Sequence, residues 1–192
     1  MGPEAGGDVR LAELLAAPAG APAQSPPIVL NDWTARDLGA TTGDALTLEY
    51  FRWAEEGRLV TERAAFRVAG VIPMTGLAAD RRLAPDYPGI TDSANVADWD
   101  PPFPVDLRLV RPIDEDYWDR HRATPKAFIR LDDGQRLWRT RYGGLTSIRV
   151  RAGAGADLAA TSTALARAVA RGVDPLVDFV QLSSYGGARA SS

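Results

Sequence analysis

Between two strand-like runs lies a segment, Pro73 to Lys126, that is far too long for a turn: PMTGLAADRRLAPDYPGITDSANVADWDPPFPVDLRLVRPIDEDYWDRHRATPK. Structureless connections beyond about 12–15 residues are uncommon in compact domains, so such a segment is either functional or disordered. Its composition decides. It holds Trp99, Trp118, Phe103, Tyr87, Tyr117 and the sole histidine, His121, whereas disordered segments are poor in aromatics. Prolines recur at 85, 88, 101, 102, 104, 112 and 125. The flanks are therefore expected to form a scaffold, with this excursion as a shaped surface on it.

The flanking pattern defines the scaffold. Ile28-Val29-Leu30 reads as a short apolar strand. Asn31 follows as a helix N-cap, with Asp32 in the first turn and Trp33 and Leu38 along the helix. Gly39 ends that helix. After a turn at Thr42-Gly43-Asp44, Leu46, Leu48 and Tyr50 alternate with Thr47, Glu49 and Phe51. Beyond the Glu55-Glu56-Gly57 loop, Val60, Ala64, Phe66, Val68, Gly70 and Ile72 alternate with a second set, so a hairpin with one apolar and one wet face is expected. Past the excursion, Ala127–Leu131 reads as a strand. Asp132 and Gln135 suggest a capping box for a helix with Leu137 and Trp138, stopped at Gly143-Gly144. Leu145–Arg151 reads as a strand, Asp157 to Gly172 as a helix, and Val177–Val180 as a last strand. This order predicts an α+β fold: a mixed, largely antiparallel sheet, a few short helices and a long Pro- and aromatic-rich insertion lobe. The expected organisation is a poorly ordered tail over 1–27, within which Val9–Ala17 can make a short helix through Val9, Leu11, Leu14 and Leu15, one domain over 28–182 with 73–126 as its lobe, and a frayed tail over 183–192.

Global properties exclude several function classes. The net charge of -3 argues against a nucleic-acid partner, whose affinity comes mainly from Lys and Arg against phosphate. The chain has no cysteine, so disulfides and thiolate metal sites are ruled out. No apolar run of about 18 residues exists to span a bilayer, and the N-terminus lacks the basic and apolar regions of a signal peptide.

The excursion offers chemistry of several kinds. Asp98, Asp100, Asp114, Glu115, Asp116 and Asp119 are dense. Paired carboxylates can cleave a glycosidic bond and clustered oxygens can hold calcium, but the spacing matches no EF-hand loop, and a charge run is commonly a solvated face. His121 reads as a solvated loop histidine, since a catalytic role requires an orienting partner. Gly153 and Gly155 lie between a strand and a helix, but the third glycine of the dinucleotide fingerprint is missing, and a connecting loop is the simpler reading. Trp99, Phe103, Tyr117 and Trp118, with their prolines, form either a sugar- or peptide-binding face or a satellite core pinning the excursion to the sheet.

Several stretches, in order, resemble the large extracytoplasmic domain of FtsX-like (MacB-like) ABC transporter permeases. Ile28–Trp33 through Asp37-Leu38-Gly39 and Gly43–Leu48 is similar to the family's strand–helix–LG–xxxGD–strand opening. Phe66–Val71 resembles its V-x-G-V strand, and Lys126–Leu131 with Gln135 and Leu137 its later strand and helix. Thr146–Val150 and the helix from Asp157 follow in order. Asp86–Asp92 and Asp98–Pro104 resemble a subgroup of long permeases. The resemblance implies a non-catalytic domain at the extracytoplasmic face of the bacterial inner membrane. Such a domain binds envelope proteins or lipoprotein cargo and is coupled through membrane helices to a separate cytoplasmic ATPase. It implies no cofactor, no metal and no catalytic residue, and the expected contact surface is Trp99, Phe103, Tyr117 and Trp118. Family members carry further strands before the position of Ile28, so an open sheet edge near Ile28–Leu30 is expected, a site for association into a dimer.

Overall fold

The computed structural model describes residues 11–16, 25–54, 57–101, 103–140, 143–145, 153 and 155–172. The chain divides into two compact units, Met1–Thr146 and Ser147–Ser192, and the domain expected over 28–182 spans that division. In the first unit, the elements in chain order are β1 (Pro27–Asn31), α1 (Asp32–Leu38), β2 (Ala45–Trp53), β3 (Leu59–Ile72), α2 (Pro112–His121), β4 (Ala127–Ile129) and α3 (Leu131–Trp138). In the second, α4 runs from Leu158 to Gly172. Among the described residues, four strands form one sheet in the order β2-β3-β1-β4. The β2–β3 and β1–β4 pairs are antiparallel and the β1–β3 pair is parallel. The fold is α+β with a mixed, mainly antiparallel sheet, as the sequence pattern predicts.

Local chemistry explains the first elements. Ile28, Val29 and Leu30 are 2%, 0% and 1% exposed, so each contributes about 2 kcal/mol through burial. Asn31 caps α1, its side-chain oxygen accepting from Thr34 N at 2.7 Å. Gly39 closes the helix in the left-handed region at φ 62°, a conformation open to glycine at little cost. The β2–β3 register runs unbroken from Ala45↔Arg67 to Trp53↔Leu59.

The structure corrects two expectations about this sheet. First, β1 is not an edge. The excursion returns the chain beside it as β4, so β1 is hydrogen-bonded on both sides, and among the described residues the outer strands are β2 and β4. An open edge near Ile28–Leu30, and a dimer built on it, therefore have no basis. Second, the alternation in β3 changes phase. Ile28 pairs with Val68 but Val29 pairs with Gly70, leaving Ala69 as an extra residue. A bulge of this kind reverses which face each following side chain occupies. Val71 thus joins Phe66 and Val68 on one face, with Ile28, Leu30, Ala35 and Leu137. Ile72 and Ala69 face the other way with Val29 and Ala78.

That second face is not wet. Within the stretch expected to be a tail, residues 11–15 are helical, and Leu11, Leu14 and Leu15 pack against Val29 and Ile72. Gly70 makes room for this: a Cβ there would lie 2.8 Å from Leu14 Cδ2.

Two further expectations change at the end of the sheet. β4 stops at Ile129, and α3 begins at Leu131 with Arg130 as its cap residue and no side-chain cap bond. The anticipated capping box at Asp132 is absent because a neighbouring acid does a different job. Asp133 is 1% exposed. It accepts from Arg130 Nε at 2.6 Å and also from Arg136, which fixes the first turn through a carboxylate held between two guanidinium groups. The strands anticipated at 145–151 and 177–180 fall, apart from Leu145, outside the described residues, as does the tail at 183–192.

In the second unit, Asp157 opens α4 by accepting from Ala159 N at 2.8 Å and Ala160 N at 3.3 Å. Thr161, Leu165 and Val169 are half-buried along it, consistent with one helix face.

Candidate functional site

The excursion is a folded lobe. Short 3-10 turns at Gly76–Ala79, Arg81–Leu83, Val96–Asp98 and Leu107–Leu109 lead into α2. Pro112 at the start of α2 suits a position whose backbone N–H has no partner anyway. Asp114 completes the start, accepting from Arg111 N at 3.0 Å.

α2 organises the lobe and ties it to the sheet. Tyr117 and Trp118 are each 3% exposed. The Tyr117 hydroxyl accepts from Asn31 Nδ2 at 3.1 Å and also meets Thr124 Oγ1 at 2.8 Å. Asn31 Nδ2 donates as well to Pro125 O at 3.1 Å. One fully buried asparagine therefore caps α1, holds α2 and fixes the return of the chain into β4. Burial pushes the Tyr117 hydroxyl above its ordinary value, against the opposing pull of the Thr124 and Asn31 hydrogen bonds. A second tie is the Arg111 guanidinium, which donates to both Asp37 oxygens at 3.0 and 2.6 Å.

Trp118 is the centre of the lobe. Its indole N–H donates to Ala94 O at 3.0 Å, and Trp99 meets it edge-on at a centroid distance of 5.1 Å. Glu115 accepts from Val96 N and Ala97 N, both at 2.9 Å, so its carboxylate caps the 3-10 turn preceding Trp99. The hairpin-like approach of Gly89 and Asp100 closes the same region, with Asp100 N donating to Gly89 O at 2.8 Å.

The four aromatics expected to form a contact surface thus separate. Tyr117 and Trp118 are almost wholly internal, because the lobe needs them as its own core, and they reach the surface only where they line a cavity. Trp99 and Phe103 are half-buried. Phe103 lies 5.8 Å from Tyr87 and 6.4 Å from Phe51 of β2, a partly exposed aromatic cluster. Trp99 lines an open cavity of about 440 Å³ with Ile90, Val96, Leu109, Val110 and Trp118. Arg122, Lys126 and Asp114 supply charge to its lining.

The sequence reading missed Leu109, which lines this cavity and is 74% exposed. Val105, Leu107 and Ile113, near it in sequence, are exposed at 39%, 37% and 39%. Their signal was there: apolar residues alternate with Asp106 and Arg108 between Pro104 and Pro112. Arg122 was missed altogether. It ends α2 at φ 55°, ψ -139°, a region costly for any residue but glycine.

Four of the six acids, Asp98, Asp114, Glu115 and Asp116, serve caps, hydrogen bonds or ion pairs. Asp114 accepts from Arg111 and faces Lys126 Nζ at 3.6 Å. Burial raises its pKa, but Arg111 and Lys126 more than compensate and hold it below the usual carboxylate range. Asp98 accepts from Asn95 at 2.8 Å, and Asp116 sits 3.8 Å from Arg120. Among the described residues no group of three or more His, Asp or Glu side chains is placed to hold a metal ion. His121 lies in the last turn of α2, not in a loop, with its ring 5.0 Å from that of Tyr117. Burial lowers its pKa, helped by Arg120 and Arg81 and opposed by Asp32. Lys126 Nζ lies over the rings of Trp33 and Tyr117, at 4.4 and 4.7 Å.

Among the described residues, no helix is long and apolar enough to cross a membrane. No family model matches the chain, and comparison with curated proteins and with solved structures gives no match either.

Proposed function

We propose that this chain is the non-catalytic extracytoplasmic domain of an FtsX-like ABC transporter permease. Its lobe binds an envelope protein or lipoprotein cargo and passes conformational change between that partner and a separate cytoplasmic ATPase. The order of strand, helix, hairpin, lobe, strand and helix supports the family reading. The observation that carries the binding role is the lobe itself: a braced platform that exposes an apolar cavity and several aliphatic side chains while most of its acids serve caps and ion pairs. Exposed contiguous apolar surface of this sort marks interaction sites. In a coupled system such a domain requires differential contacts in two states, and no chemistry of its own.

The test is a photo-crosslinking residue placed at Leu109 in the native host, with Glu49 on the hairpin as control. An envelope or lipoprotein adduct specific to Leu109, with an ATPase gene adjoining, is the expected result. Equal labelling from both positions, or a gene neighbourhood without an ATPase, sinks the reading. The Phe51–Tyr87–Phe103 cluster supports a second reading, a carbohydrate- or peptide-binding module, because exposed aromatics stack on sugars and proline-rich chains; a glycan array distinguishes it.

A further inference from the structure

The cavity of the lobe has a chemical polarity that the permease reading does not explain. Its wall is apolar, formed by Ile90, Val96, Trp99, Leu109 and Val110. At about 440 Å³ it falls within the range of small-molecule sites, which run from about 300 to 1,000 Å³. Of its charged lining groups, Asp114 is already matched by Arg111 at 3.0 Å and Lys126 at 3.6 Å.

Arg122 is different. Its guanidinium donates to Ala94 O at 2.8 Å and lies 5.5 Å over the Trp118 ring. No carboxylate among the described residues pairs with it. Arg36, Arg52, Arg63, Arg108 and Arg130 each face an acid, whereas Arg122, like Arg67 on Gly43 O and Arg81 on Arg120 O, bonds to a backbone carbonyl. Arg122 also lines a second, smaller cavity of about 160 Å³ on the same wall, shared with Trp118, where Arg81 adds another positive charge and Asp86 a negative one. The guanidinium fork has donors to spare.

The backbone strengthens the point. Arg122 holds φ 55°, ψ -139°, where glycine would sit without strain. Strain of this kind persists only where the surrounding structure over-determines it, and it clusters at active sites and ligand clamps.

We infer that the cavity binds an amphipathic monoanion, an apolar body with a single carboxylate, sulfonate or phosphate group. The body lies against Trp99, Val96 and Leu109, and the anionic group is held by Arg122, with Lys126 adding positive charge. The inference rests on the cavity alone, so it survives failure of the permease reading, and that reading survives its failure.

The test uses two fluorescent probes on the full chain, the anionic anilinonaphthalene sulfonate and the uncharged phenylnaphthylamine. Saturable binding of the sulfonate at one per chain is expected, with energy transfer from tryptophan reduced in Trp99→Leu, since Trp118 also lines the cavity. Arg122→Gly removes the charge at a position where glycine is conformationally favoured, which offsets the lost bond to Ala94 O. It should weaken the sulfonate about tenfold or more, as loss of a charge-assisted hydrogen bond implies, while moving the uncharged probe less than about twofold on the same scale. Arg122→Gln, checked by circular dichroism, serves if the glycine variant does not fold. Equal weakening of both probes, or a sulfonate affinity unchanged in the folded variant, overturns the inference. So does the absence of one-to-one binding.

Discussion

Replacing Gly89 with alanine should disable the lobe. Gly89 has φ +79°, and a Cβ there would lie 2.3 Å from Asp100 O and 2.9 Å from Asp100 C. Both are backbone atoms, so no side-chain rotation relieves the clash. The two segments are also tied by the bond from Asp100 N to Gly89 O at 2.8 Å, and Gly89 N donates to Asp92 Oδ1 at 2.8 Å. Left-handed backbone in a non-glycine residue costs about 1–2 kcal/mol, and overpacking adds about 1–3 kcal/mol. Gly39, at φ +62° with nothing within 4 Å of its would-be Cβ, provides the control, since Gly39→Ala carries only the first cost. At about 2–4 °C per kcal/mol for a chain of this size, Gly89→Ala should melt about 2–12 °C below Gly39→Ala. Thermal unfolding by circular dichroism gives the comparison. Hydrogen exchange at the Asp100 amide shows whether the lobe opens locally first. If the two variants melt within about 1 °C of each other, the close approach of Gly89 to Asp100 does not hold the lobe.

Other substitutions examine the remaining ties. Asn31→Ala should cost about 2–3 kcal/mol in denaturant unfolding, from a lost cap and the lost bonds to Tyr117 and Pro125. In a double-mutant cycle its effect should be non-additive with Tyr117→Phe. Gly70→Val should destabilise by overpacking against Leu14, and Leu14→Ala should rescue part of that loss; without rescue, the helical segment at 11–15 does not lie on the sheet. His121 has a folded-state pKa below its reference of 6.5, so the unfolded chain takes up this proton first as pH falls. Stability should therefore drop on acidification through about pH 6.5 and below, and His121→Gln should flatten that part of the profile. The depressed Asp114 carboxyl gives a further loss of the same sign at lower pH, as its pairing with Arg111 is titrated away.

Much of the scaffold was legible because its signals are local. Asn31 and Gly39 bracket α1 by capping chemistry alone, and the alternation of β2 and early β3 assigns their faces. What escaped depended on contacts distant in sequence. The phase change at Ala69 is set by the pairing of β3 with β1, and nothing in its own neighbours announces it. The central place of β1 depends on β4, which arrives only after the lobe. Asp133 looks like one more surface acid in a helix start, and only the flanking positions of Arg130 and Arg136 on one turn show why it can be buried. In the lobe, composition identified the aromatics but not which of them face inward. Tyr117 and Trp118 adjoin in sequence, yet both are buried, because the lobe encloses α2 on one side while Asn31 and Trp33 approach it on another.

The lobe leaves the sheet at the end of β3 and rejoins it at the start of β4, and these two strands flank β1 on opposite sides. It is a handle fastened across a single strand, its feet two strand spacings, or about 10 Å, apart. A pull on such a handle loads both seams of β1 at once, one toward the interior strand β3 and one toward the terminal strand β4. The two seams that resist it are unequal: β3 grips β1 in parallel from Pro27 to Asn31, while β4 holds it only from Ile28 to Leu30. The shorter seam is the mechanical fuse, and the Asn31 backbone N–H bonded to Lys126 O at 3.1 Å is the stitch beside it. Sliding there would carry α3 with it and strain the contact of Trp138 with Tyr50 on the hairpin, where the rings lie 4.9 Å apart.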